Sequence, residues 1–149
     1  MSDLPSKPID ITNLATYTNK IAELSSIQKL MAPVYLRDFI IGQDIAINLL
    51  ARAVQADAKA KAKLEYAQSI AYLENAKVYL DSKSIKDTSE ARKQYIDIDP
   101  EVIVAKDNKA KTEAMVVLLK GKANELKMAH DDLKKVTYTD PNLTDYEGM

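Results

Sequence analysis

Leu14, Tyr17, Ile21, Leu24, Ile27 and Leu30–Met31 stand three or four residues apart, the spacing of one helical face. The pattern predicts a first helix over about 12–31, with Asp10 or Thr12 as its cap. Pro33 should end or kink it, because proline lacks an amide donor and its ring crowds the preceding turn. A second, much longer helix is predicted over 34–80. Leu36, Phe39–Ile40, Ile47, Leu50, Val54, Leu64, Ile70–Ala71, Leu73 and Val78 give it apolar content. Its middle, Ala51 to Ala62, is rich in alanine, and such small side chains let a neighbouring helix approach closely.

Residues 81–99 form a polar break. Within it Thr88 or Ser89 can cap a short helical turn through Tyr95, and Ile96 to Asp99 is extended in character because Asp99 precedes a proline. Asp99-Pro100-Glu101 is a helix start: the aspartate accepts from free amides, proline fits the first position, and the glutamate suits the positive end of the dipole. The last helix is predicted over 100–136, with Val104, Ala114–Met115, Leu118–Leu119, Ala123, Leu126, Ala129–His130 and Leu133 as its buried stripe. Residues 1–11, carrying Pro5 and Pro8, read as an extended arm. Residues 137–149, with Asp140, Asp145 and Glu147, read as a flexible acidic tail.

The expected fold is all-α. It is one helical domain over 12–136, a long coiled-coil-like hairpin with a shorter N-terminal helix. Two helices of this length leave apolar surface uncovered, so a homo-oligomer is expected. The rival arrangement breaks the helices at Gly42 and Gly121 and folds them into a monomeric bundle.

Composition narrows the chemistry. The 149 residues include no cysteine, one histidine and three glycines. Thiol nucleophiles, cysteine metal sites and glycine-rich phosphate loops are thereby excluded, and no cofactor is expected. His130, followed by Asp131 and Asp132, is either a proton or metal group or simply half-buried on its helix. No second histidine exists to complete a common zinc site. The chain therefore reads as a non-enzyme. The start of the chain lacks the basic and apolar regions of a signal peptide. Its longest apolar stretch, Phe39 to Leu50, is interrupted by Gly42, Gln43 and Asp44, so no membrane span and a cytoplasmic location are expected.

Net charge is −1, which allows local patches but no basic coat. The most informative cluster is Arg52, Lys59, Lys61 and Lys63, opposed locally only by Asp57. At about 100° per residue, Arg52, Lys59 and Lys63 share one side of the helix and Lys61 points elsewhere. Tyr66 follows, with Tyr72 and Tyr79 further along. A basic stripe tracks phosphates and tyrosine rings stack on bases, so this is a candidate single-stranded nucleic-acid surface. The alternative is a solvated face with half-buried tyrosines. Arg92-Lys93, in the break beside Tyr95, is a second candidate contact. The lysines of the last helix, Lys109 among them, alternate with acids and read as an ordinary exposed face.

Lys61-Ala62-Lys63-Leu64-Glu65-Tyr66 resembles a basic-x-basic-Leu-acid-aromatic run of the UvsY-like recombination mediators of bacteriophages. Asp97-Ile98-Asp99-Pro100-Glu101-Val102 resembles that family's acidic approach to a long C-terminal helix. The likeness covers roughly residues 52–136. The last helix departs from the family in offering Met115, Val116 and Val117 where aromatic residues belong, and the acidic tail is an addition. The resemblance implies a ring-like homo-oligomer that binds single-stranded DNA, with Lys61 and Lys63 contributing, and helps a recombinase replace the single-strand binding protein. Host-cell cytoplasm would be its location. The alternative function is a helical structural or scaffold protein, such as a virion component, to which alanine-rich helices are equally suited. A helical decoy whose acidic tail mimics nucleic acid is a third reading.

Overall fold

The computed structural model describes residues 8–27 and 29–139. Most of the expected arm, 1–7, and the acidic tail from 140 lie outside the described residues. The described residues form long helices with a shorter N-terminal one, and no strand occurs among them.

Helix α1 spans Thr12–Thr18, and the Asp10 carboxylate accepts from the Thr12 amide at 2.8 Å. The rest of the predicted first helix differs from the α form. Asn19–Ser26 and Lys29–Met31 are 3-10 segments. Ile21, Leu24 and Ile27 fall every third residue, which is the period of the tighter 3-10 coil. Helix α2, Ala32–Ile70, has Pro33 in its first turn, where a missing amide costs no bond. A π turn, Ala71–Asn75, leads into α3, Ala76–Ser82. Helix α3 closes on a left-handed residue, Ser84 at φ 56, with the Ile85 amide returning 2.9 Å to the Leu80 carbonyl. Helix α4, Ser89–Ile96, is capped by Thr88, whose hydroxyl accepts from the Ala91 amide at 3.1 Å. Helix α5 spans Pro100–Thr139. Neither Gly42 nor Gly121 breaks its helix; each lies inside a continuous one.

By their contacts the residues gather into two compact units. One comprises Met1–Arg52 with Val117–Met149, the other Ala53–Val116. In the first, Leu14, Phe39, Ala46, Leu119, Leu126 and Leu133 are buried. Leu119, Leu126 and Leu133 repeat every seven residues, the period of a coiled-coil seam. Gly42 lies so close to Tyr17 and Leu126 that an added Cβ would sit 2.7 Å from the Tyr17 Cβ. Lys20 pairs with the largely buried Asp38 at 2.6 Å, and the Tyr35 hydroxyl donates to Glu23. These two ties fasten the 3-10 segment to the start of α2.

In the second unit α2 turns alanines inward: Ala53 and Ala60 are buried and Ala67 half-buried, again seven residues apart. The larger apolar residues Val54, Leu73 and Val78 stand outside. Methyl groups thus fill the inner face, and the branched chains stand on the flanks. Val104, expected in the buried stripe of α5, is likewise exposed, and Val102 is buried in its place. Ala71, Ala76, Tyr95 and Val102 form the core where the π turn, α4 and α5 meet, with Leu64, Ala67, Tyr79 and Ile96 packed against it.

Asp99 organises that core. It is 1 % exposed. One carboxylate oxygen caps α5, accepting the amides of Glu101 at 3.0 Å and Val102 at 3.2 Å. The other accepts from the Tyr95 hydroxyl at 2.8 Å and the Asn75 amide at 3.1 Å. Burial pushes the Asp99 carboxyl up, but the bonds from Tyr95, Asn75, Val102 and Glu101 outweigh it and hold the group below its ordinary value. Burial, and then the bond to Asp99, push the Tyr95 phenol up to about 12.

Candidate nucleic-acid interface

Lys59, Lys61 and Lys63 project from the α2 segment of the second unit, and all three are exposed. Among the described residues none has a carboxylate within ion-pairing distance. Asp57, the one acid set against them in the sequence, faces inward. Its Oδ1 accepts from Lys109 Nζ at 2.9 Å and from the Thr112 hydroxyl at 2.8 Å, both on α5. The bond from Lys109, and then that from Thr112, hold the Asp57 carboxyl below its ordinary range, and the carboxylate in turn raises Lys109. Lys109 is therefore a half-buried partner of Asp57 and not a member of an exposed face. Asp57 is thus engaged from within by α5, although Lys61 still adds to the attraction that lowers it.

Tyr66 is 70 % exposed, one helical turn beyond Lys63 on the Lys59 and Lys63 side. The other two tyrosines behave differently. Tyr79 stacks on Tyr95 with ring centroids 5.0 Å apart and belongs to the core. Tyr72 is half-buried; its Oη lies 3.2 Å from Ser89 Oγ, and the Arg92 guanidinium stands 5.7 Å from its ring centre.

Arg52 is exposed at the end of the first unit and is described with that unit alone. Arg92 and Lys93 lie on α4 and not in a loop. Arg92 clasps Asp87 through Nε and Nη2, both at 2.7 Å, and donates from Nη1 to the Tyr72 carbonyl at 3.1 Å. Its side chain thus joins α4 to the π turn, while Lys93 is exposed. His130 Nδ1 lies 3.2 Å from Asp131 Oδ1. Among the described residues no group of three or more His, Asp or Glu is placed to hold a metal, and no helix is long and apolar enough to cross a membrane.

The Asp57–Lys109–Thr112 tie escaped sequence reasoning because its partners are more than fifty residues apart. Gln68 also escaped it, although a helical count from Lys61 would have found it: seven residues on, the two share a side. The chain matches no protein-family model, no curated protein and no solved structure.

Proposed function

We propose that this protein is a non-catalytic mediator that binds single-stranded DNA through Lys59, Lys61, Lys63 and Tyr66 and assists a recombinase in displacing a single-strand binding protein. The observation that carries the reading is the unpaired, exposed lysine run with an exposed tyrosine beside it, its adjacent acid Asp57 withdrawn onto Lys109. Lys59 and Lys63 can track a phosphate backbone on the Tyr66 side while Lys61 reaches it around the helix, and an exposed ring stacks on bases of any sequence. Self-association belongs to the same proposal. Ile40 and Ile47, seven residues apart on α2, are 48 % and 49 % exposed, and Val117 and Met128 are exposed on α5. Apolar surface of this kind calls for a second copy of the chain, closed into a ring where many copies are used. The work would be done in the cytoplasm of an infected cell.

The test is fluorescence anisotropy with a labelled oligonucleotide over a salt series. Binding should weaken linearly on a log–log plot. The double change Lys61→Ala with Lys63→Ala should flatten that slope by about 1.4, since each phosphate contact on a single strand carries about 0.7. Circular dichroism should show the helices intact. Unchanged affinity and slope would sink the assignment. The exposed apolar stripes also suit a scaffold protein, and negligible oligonucleotide binding by the unaltered chain would turn the reading to that role.

A further inference from the structure

Beside the lysine run the second unit carries a shallow cleft of about 470 Å³, bounded by Glu65, Gln68, Ser69, Tyr72 and Leu73. The Tyr72 ring is held in place by Ser89 at one end and by the Arg92 guanidinium beside it, so it offers an aromatic wall in a fixed orientation. Leu73 adds exposed apolar area. Ser69 is already engaged with the Glu65 carbonyl at 3.0 Å. The amide of Gln68 and the carboxylate of Glu65 have no partner of their own among the described residues. Lys61 differs from Lys59 and Lys63 in pointing to this side: Glu65 lies about 40° and Gln68 about 20° from it around the helix.

We infer that the cleft receives one unstacked nucleobase bearing an exocyclic amine, with Tyr72 as its stacking wall and Gln68 and Glu65 as its edge partners. The inference rests on the single-strand reading above and extends it from phosphates to bases. A phosphate is not the occupant, because the Glu65 carboxylate repels it. Lys61, about one turn away, is placed to hold the backbone that delivers the base. A carboxylate accepts from an amino group such as the N4 amine of cytosine and finds no such donor on thymine's O4 edge. Bound this way, a base exchanges stacking in the strand for stacking on a ring that needs no ordering at the moment of binding.

Three labelled probes of equal length decide the matter: oligodeoxycytidine, oligothymidine and an abasic deoxyribose-phosphate oligomer. They are titrated with the full chain at one salt concentration and neutral pH. Oligodeoxycytidine should bind about tenfold tighter than the abasic oligomer, the effect of one stacked base. It should exceed oligothymidine by about fivefold, the discrimination of one edge contact. Tyr72→Leu should narrow the gap between deoxycytidine and abasic probes to the share that Tyr66 contributes. Because Tyr72 also touches α4, Gln68→Ala, which breaks no hydrogen bond among the described residues, serves as a second variant; it and Glu65→Gln should each narrow the gap between deoxycytidine and thymidine. Equal, salt-dependent binding of deoxycytidine and thymidine probes that Tyr72→Leu leaves unchanged overturns the cleft and leaves the lysine and Tyr66 surface standing. No binding of any probe overturns both.

Discussion

Replacing Gly42 by alanine sets two opposed effects against each other, and the structure says which is larger. Within a helix the change gains about 1 kcal/mol from backbone propensity. The new methyl would stand 2.7 Å from the Tyr17 Cβ and 3.2 Å from both Leu126 methyl carbons. Carbon atoms rest about 3.5–4.0 Å apart, so α1 must back away by about 1 Å. The Tyr17 Cβ is anchored to the backbone and cannot swing aside as a side-chain tip would. Overpacking of this kind costs about 1–3 kcal/mol, and the rigid neighbour puts it at the upper end. The net expectation is a loss of about 2 kcal/mol, or about 4–8 °C in Tm for a chain of this size. Gly121 is the internal control, because an added methyl there meets nothing within 4 Å. Gly121→Ala should raise stability by about 1 kcal/mol. Urea titration followed by circular dichroism measures both variants against the parent. Equal stabilisation by the two alanines would refute the close approach of α1, α2 and α5 at Gly42.

Two further outcomes follow from the second unit. Asp99→Ala removes the α5 cap, worth about 1 kcal/mol, and strands the Tyr95 hydroxyl and Asn75 amide. With an orphaned buried donor costing about 1–3 kcal/mol, the total loss should be about 3 kcal/mol by urea titration. Since the folded-state carboxyl is held below its unfolded value, its contribution is complete above that unfolded value and fades as pH falls through the folded one. An Asp99→Asn chain should lack this acid-dependent component, and acid titrations of identical shape would count against the assigned network. Ser84→Gly should stabilise by about 1 kcal/mol, because only glycine occupies a left-handed turn at φ 56 without strain. A lower urea midpoint for that variant would mean that Ser84 holds something beyond its own turn.

The helix starts were written plainly in the chain. Asp99-Pro100 and Thr88 cap α5 and α4 through the atoms their chemistry suggests. What misled was the weighting of apolar residues by size. Isoleucine and valine outrank alanine as core candidates, yet Ala46, Ala53 and Ala60 lie inside while Ile40, Ile47 and Val54 stand out, because a close helix pair selects for small volume. The three-residue rhythm from Ile21 to Ile27 was visible, and the 3-10 coil it signals was read as an ordinary helix. The π turn has no signature in the chain; it appears where Asn75 must reach Asp99. At the candidate surface the exposure of Lys59, Lys61, Lys63 and Tyr66 was legible. The inward engagement of Arg92 and of Asp57 was not, since both depend on partners supplied by tertiary contacts.

The alanine seam has a consequence for how the long helices find their alignment. With Ala53, Ala60 and Ala67 repeating every seven residues, the inner face of α2 looks alike at each step of two turns, so its methyl groups by themselves hardly fix one registration. Features that occur once must do so. Asp57 meets Lys109 and Thr112 at a single setting, and Asn75 meets Asp99 at the same one. These few polar ties act as an address for the helix pair more than as its glue: a slipped alternative parts Asp57 from Lys109 and Asn75 from Asp99.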